Sequence, residues 1–147
     1  MTSKWMDLAL IQAKEAGARG EVPVGAVLVR DGKVIACAGN RIEELKDPTA
    51  HAEILVIREA SRLLQTTRLV GGDLYVTLEP CPMCATALSF ARIDRLFYGA
   101  FDSKGGGVDH GPRIFEQPTC HHHPEVVGGV SEQACGLLLK EFFLEKR

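Results

Sequence analysis

Long apolar runs are missing from this chain of 147 residues. The longest, such as residues 24–29 and 137–139, fall far short of the roughly 20 residues that cross a bilayer, so no membrane span is expected. The opening Met1-Thr2-Ser3-Lys4-Trp5 has neither the apolar core nor the small-residue cleavage site of an export signal, and cytoplasm is the expected compartment. Cysteine is sparse and odd in number: five, unevenly spaced, which argues against a disulfide framework and, in a reducing compartment, for metal ligation or burial. Charge of one sign is lacking too. Seventeen Lys and Arg against 19 Asp and Glu leave a net charge of -2, which excludes the broad basic surface of a duplex binder and leaves room only for a local patch. Repeats and linkers are absent, and 46% hydrophobic residues exclude a disordered chain, so residues 1–147 are expected to form one domain.

What is present reads as alternating strands and helices. Ser3 can cap a first helix in which Trp5, Leu8, Ala9, Gln12 and Ala16 recur near helical spacing up to Gly17. Residues 24–29 and 34–38 are short β-rich runs joined through Asp31-Gly32, a strong hairpin signal. After a polar stretch at 40–47, Pro48-Thr49 leads into a helix expected over 50–64, with Ile54, Ile57, Ser61 and Leu64 on one side. A third strand at 73–78 runs into a small-residue helix ending near Arg92, and a fourth strand follows at 95–100. Strand, helix, strand implies a crossover between parallel neighbours and hence an α/β fold. Residues 101–130 break into glycines, prolines and His121-His122-His123, with a short strand at 125–127, before Ser131 opens a last helix.

The chemistry sits at two expected helix starts. His51-Ala52-Glu53 begins one and Pro80-Cys81-Pro82-Met83-Cys84 the other. Helical side chains tilt toward the N-terminus, so first-turn residues converge on an object beyond that end. Cys81 and Cys84, three apart, share a face where the helix dipole favours thiolate. If the two starts meet, one imidazole and two thiolates surround a metal, and that donor set suits Zn2+. Three ligands leave one tetrahedral position for a water, whose pKa zinc lowers from about 15.7 to about 7. Glu53 then stands as proton carrier, and attack on an amidine-like ring carbon with loss of ammonia is hydrolytic deamination, the pattern of the zinc deaminases. The other arrangement is a structural zinc with Glu53, Cys120 or one of His121, His122 and His123 as fourth ligand. Cys37 and Cys135, on a strand and a helix, are expected to be core residues.

These residues, together with Glu21-Val22-Pro23-Val24-Gly25-Ala26-Val27, Asn40-Arg41, Asp47-Pro48-Thr49-Ala50, Leu74-Tyr75-Val76-Thr77-Leu78-Glu79 and Phe142-Phe143, resemble the cytidine-deaminase-like superfamily, and within it the bacterial tRNA adenosine deaminases. The resemblance covers nearly the whole chain. It implies a three-layer α/β/α fold with a five-stranded mixed central sheet, a homodimer with one Zn2+ per subunit, and conversion of the wobble adenosine in a tRNA anticodon stem-loop to inosine. It also implies His51, Cys81 and Cys84 as zinc ligands, Glu53 as general acid/base, and Asn40, Asp102 and Phe143 as substrate-binding residues.

Between Gly107 and Val130 the chain departs from the family pattern, with Val108-Asp109-His110-Gly111-Pro112-Arg113 and the triple histidine. A local RNA footprint is available in Lys104, Arg113, Lys140, Lys146 and Arg147, against their ordinary reading as solvated surface. Two other functions fit the same metal chemistry: a deaminase of a free base or nucleoside such as cytosine or guanine, and a zinc-stabilised RNA-binding module without turnover.

Overall fold

A computed structural model describes residues 3–146, so Arg147 of the expected RNA footprint, like Met1 and Thr2 of the opening, lies outside the described residues. Strands β1 (Gly25–Arg30) and β2 (Lys33–Gly39) form the expected hairpin. Its turn residues Asp31 and Gly32 have φ of 52° and 72°, the double left-handed geometry of a tight two-residue turn. Strands β3 (Asp73–Leu78), β4 (Arg95–Ala100) and β5 (Glu125–Gly128) complete a five-stranded sheet in the order β2-β1-β3-β4-β5. The β1 pairings are antiparallel, and β3, β4 and β5 run parallel, so the sheet is mixed as the resemblance implied.

Strand residues alternate between two cores, as a period of two requires. Ala26, Leu28, Leu74, Val76 and Leu96 pack with helices α3 (Ala52–Leu64) and α4 (Pro82–Phe90), whereas Val27 and Val29 pack with α1 (Lys4–Ala18) and α5 (Glu132–Glu145). This is the three-layer α/β/α arrangement. Helix α1 lies so close to the sheet that a Cβ on Gly25 would come 2.1 Å from the Ala9 carbonyl oxygen and one on Gly39 2.6 Å from that of Gln12. Small residues on both sides make that approach possible.

Several sequence expectations shift. The helix expected from residue 50 starts at Ala52, because Asn40 Oδ1 accepts the Ala52 N–H at 2.8 Å and leaves His51 extended ahead of the first turn. Its buried stripe is Ala52, Val56 and Ala60; Ile54, Ile57, Ser61 and Leu64 flank it, since only the smaller side chains fit directly against the sheet. In the first helix Met6, Ala9, Leu10, Ala13 and Ala16 are buried and Leu8 is exposed. The polar stretch after β2 holds a one-turn helix α2 (Ile42–Leu45). Ser3 caps α1 through Trp5 N–H as expected, but Ser131 does not cap α5: its φ of 54° is left-handed, and its buried hydroxyl has no partner among the described residues. Cys135 is buried, whereas Cys37 is exposed because β2 is an edge strand.

Candidate metal centre and active site

Two helix N-termini meet at the ends of β1 and β3, and each puts a ligand-type side chain at its N-cap. His51 (φ -71°, ψ 152°) precedes α3 and Cys81 (φ -71°, ψ 169°) precedes α4; neither side chain caps its own helix. The two turns are built differently. Pro80 and Pro82 bracket Cys81, and Pro82 occupies the first helical position where its missing N–H costs nothing. His51 is placed by hydrogen bonds: Asp47 Oδ1 accepts the N–H and hydroxyl of Thr49 at 2.8 and 2.6 Å, and Asn40 anchors Ala52.

His51 Nδ1 lies 3.7 Å from Cys81 Sγ and 3.6 Å from Cys84 Sγ, and one donor atom from each residue falls within 4.8 Å of the others. Tetrahedral zinc with bonds of about 2.3 Å to sulfur and about 2.0–2.1 Å to nitrogen sets nitrogen and sulfur about 3.6 Å apart, so the three donors fit the ion. Among the described residues no fourth His, Cys, Asp or Glu joins the cluster. The hydrogen bond from Cys84 pulls the Cys81 thiol down to about 4, against its burial and with help from His51. Cys84, sharing that bond and buried, is pushed up, and the Cys81 hydrogen bond raises His51. Zinc at this point takes both sulfurs as thiolates, so its binding here releases protons.

Glu53, in the first turn of α3, is 4% exposed. Burial raises its carboxyl to about 7, with the Cys81 charge adding to the rise and His51 opposing it. A carboxyl poised near neutrality beside the metal cluster can both take and give a proton.

The remaining expected site residues are placed as follows. Asn40 is 5% exposed; besides anchoring Ala52 it donates through Nδ2 to the Val22 carbonyl at 3.2 Å, which leaves one amide hydrogen. Asp102 Oδ1 accepts the N–H groups of Lys104 and Gly105 at 3.1 and 2.9 Å and shapes its own turn. Phe143 is 52% exposed on α5 and meets Phe142 edge to face; Phe142 in turn lines a groove with Gly17 and Pro23. The triple histidine and Cys120 stay away from the metal cluster. His122 Nε2 bonds the Ile93 carbonyl at 2.7 Å, Cys120 Sγ donates to the His122 carbonyl at 3.2 Å, and His121 and His123 are exposed. They serve the far end of α4, and none supplies a fourth ligand.

Sequence reasoning gave no role to two buried carboxylates. Glu21, 2% exposed, accepts the Glu43 and Glu44 N–H groups at 3.1 and 2.9 Å and so fixes α2 behind Asn40. Glu79, also 2% exposed, gathers the N–H groups of the loop after β4. The available signal was an acidic residue flanking an apolar strand, which must be either solvated or hydrogen-bonded.

A cluster of one imidazole and two sulfurs with an adjacent buried glutamate, at the helix starts of a mixed α/β/α sheet, defines a zinc-dependent deaminase. The family model for the cytidine and deoxycytidylate deaminase zinc-binding region matches residues 1–100. The tRNA-specific adenosine deaminase of Agrobacterium fabrum is 62% identical over 143 residues, covering 97% of this chain and 94% of that protein. A solved structure from studies of A-to-I editing by tRNA:A34 deaminases at the wobble position of transfer RNA superposes with a TM-score of 0.91 at 61% identity, covering 92% of this chain and 98% of the other. Guanine deaminase from Bacillus subtilis is more distant, with a TM-score of 0.64 at 30% identity over 97% of this chain and 91% of its own. The chain belongs to the tRNA-specific adenosine deaminase family.

Proposed function

We propose that this chain deaminates the wobble adenosine of a tRNA anticodon loop to inosine, with residues 1–147 acting as a single zinc-dependent domain. The observation that carries the reading is the three-donor cluster with Glu53 sealed beside it. His51, Cys81 and Cys84 hold the zinc, which when bound supplies the Lewis acidity that makes water nucleophilic at neutral pH. Glu53 takes the proton of the attacking water and returns it to the leaving amine. The water oxygen bonds to C6 of the adenine ring, the C6–N6 bond breaks, and ammonia departs. The free amide hydrogen of Asn40 is available to orient the nucleoside, with Asp102 and Phe143 at the flanking nucleotides. An unpaired anticodon base costs little to extrude, so a local footprint suffices for a chain of net charge -2.

The reading includes a homodimer with one Zn2+ per subunit, to be tested by mass in solution, and residence in the cytoplasm; no helix among the described residues is long and apolar enough to cross a membrane. Exposure of an unmodified tRNA pool to the protein, followed by sequencing, is the decisive test, because inosine is read as guanosine at the modified position. Inosine at position 34 is expected. Turnover of free guanine, cytosine or adenosine with no inosine in any tRNA would overturn the reading in favour of a free-base or nucleoside deaminase. Zinc binding with no turnover of any of these would leave a non-catalytic RNA-binding module.

A further inference from the structure

Glu79 is the last residue before Pro80-Cys81, and its side chain is fully enclosed. Its two oxygens receive five donors. Oε1 accepts the Asp102 N–H at 3.0 Å and His110 Nδ1–H at 2.8 Å; Oε2 accepts the N–H groups of Val108, Asp109 and His110 at 3.3, 2.9 and 3.1 Å. All five come from one loop, residues 102–110, and a carboxylate has only acceptor sites to offer them. The backbone reinforces the same seam: Glu79 N–H donates to Ala100 O and Gly107 N–H to Pro80 O, both at 2.8 Å.

The glycines of this loop are explained by the same contact. A Cβ on Gly106 would lie 2.4 Å from Glu79 Oε2, and one on Gly107 would lie 2.5 Å from Pro82 N and 2.8 Å from the Cys81 carbonyl carbon. The loop therefore rests directly on the turn that carries the sulfur ligands. Its near end holds Asp102, and its far end holds His110, whose ring remains partly exposed and meets the Phe101 ring edge on at 6.2 Å.

We infer that Glu79 is a positioning residue for the reaction: its carboxylate locks the 102–110 loop onto the Cys81 turn, with His110 as the latch, and so sets the height of the substrate-facing loop above the metal. The inference rests on the tRNA reading for what the loop faces, but the lock itself is a property of the chain alone. The added His110 side-chain bond ties the loop's far end to the same anion.

Two readouts on His110→Ala, His110→Asn and Glu79→Gln test the lock. The first is hydrogen exchange of the Asp102 and Val108–His110 amides without RNA, alongside zinc content and thermal melting. Faster exchange confined to that segment is expected in His110→Ala and, more strongly, in Glu79→Gln, with zinc retained and exchange in α3 and α4 unchanged. The second is kinetics on an anticodon stem-loop carrying a wobble adenosine. Loss of one charge-assisted hydrogen bond from the lock is expected to raise KM about tenfold in His110→Ala with kcat within about twofold, and His110→Asn, whose side-chain N–H can replace Nδ1–H, is expected to restore it. Unchanged exchange in the segment overturns the inference, as does a His110→Ala protein that loses zinc or melts globally. If the parent protein makes no inosine, the tRNA reading fails, and the exchange measurement still decides the lock. His110→Ala decides it also if Glu79→Gln does not fold.

Discussion

Glu53 and Glu79 are both nearly sealed from solvent, at 4% and 2% exposure, and each lies two residues from a member of the three-donor cluster, yet their carboxyl groups are driven in opposite directions. Burial dominates at Glu53 and lifts it to about 7. Burial also pushes Glu79 up, but the hydrogen bonds from Asp102, His110, Asp109 and Val108 outweigh it and hold the carboxyl below its ordinary value. Donor supply makes the difference. A buried carboxylate with few donors exchanges a proton; one surrounded by them is a fixed anion around which backbone can be organised. The first suits chemistry and the second suits architecture, a few residues apart at one site.

The comparison can be broken or sharpened by substitution. The largest effect is expected from Cys84→Ala, which removes a buried ligand on the Glu79 side of the site: zinc measured per chain falls and deamination drops to background. Glu53→Gln is expected to keep its zinc and lose about 100-fold to 10,000-fold in kcat, the range for a positioned general acid/base. Loss of zinc in that variant would instead make Glu53 a ligand and erase the distinction between the two carboxylates. A smaller effect follows from crowding the anion hub. Gly106→Ala forces a methyl against Glu79 Oε2 and the Asp102 carbonyl, and is expected to cost about 1–3 kcal/mol by thermal or denaturant unfolding. A parent-like melting curve would show that the loop yields freely.

The smallest effect tests the same donor logic at the surface. The Thr49 hydroxyl, then the Thr49 N–H, hold Asp47 below the usual carboxylate range. A folded pKa depressed in this way adds stability that is fully present above the unfolded value of about 3.9 and is lost as pH falls through the folded value. The melting temperature of Asp47→Asn is therefore expected to lie slightly below that of the parent at pH 7, and the gap should close below about pH 4. A gap that persists in acid would assign the effect to something other than the anion.

Much of the site was legible because its signals are local. His51, Glu53, Cys81 and Cys84 occur as short motifs at helix starts, and the prolines around Cys81 fix that turn through covalent geometry alone. Asn40, Asp102 and Phe143 were expected at the site only through resemblance, and the structure adds that Asn40 carries the long-range bond that sets where α3 begins. Glu21, Glu79 and His110 were not legible as a group, because each works through hydrogen bonds to groups 22 to 31 positions away, which leave no trace in spacing. The triple histidine, conspicuous in the sequence, stays outside the metal cluster, and its middle member bonds the Ile93 carbonyl just beyond α4.

The sequence by itself determined the alternation of strands and helices, the hairpin at Asp31-Gly32, and the identity of the three donor residues that cluster, since these follow from periodicity, turn stereochemistry and ligand chemistry over a few residues. Tertiary structure alone decided that His51 meets the two sulfurs at zinc-compatible distances, that no fourth donor among the described residues closes the cluster, and which buried glutamate is raised by burial and which is lowered by hydrogen-bond donors. Those outcomes depend on solvent exclusion and on the number of hydrogen-bond donors assembled around each group, quantities that exist only once distant segments are packed together.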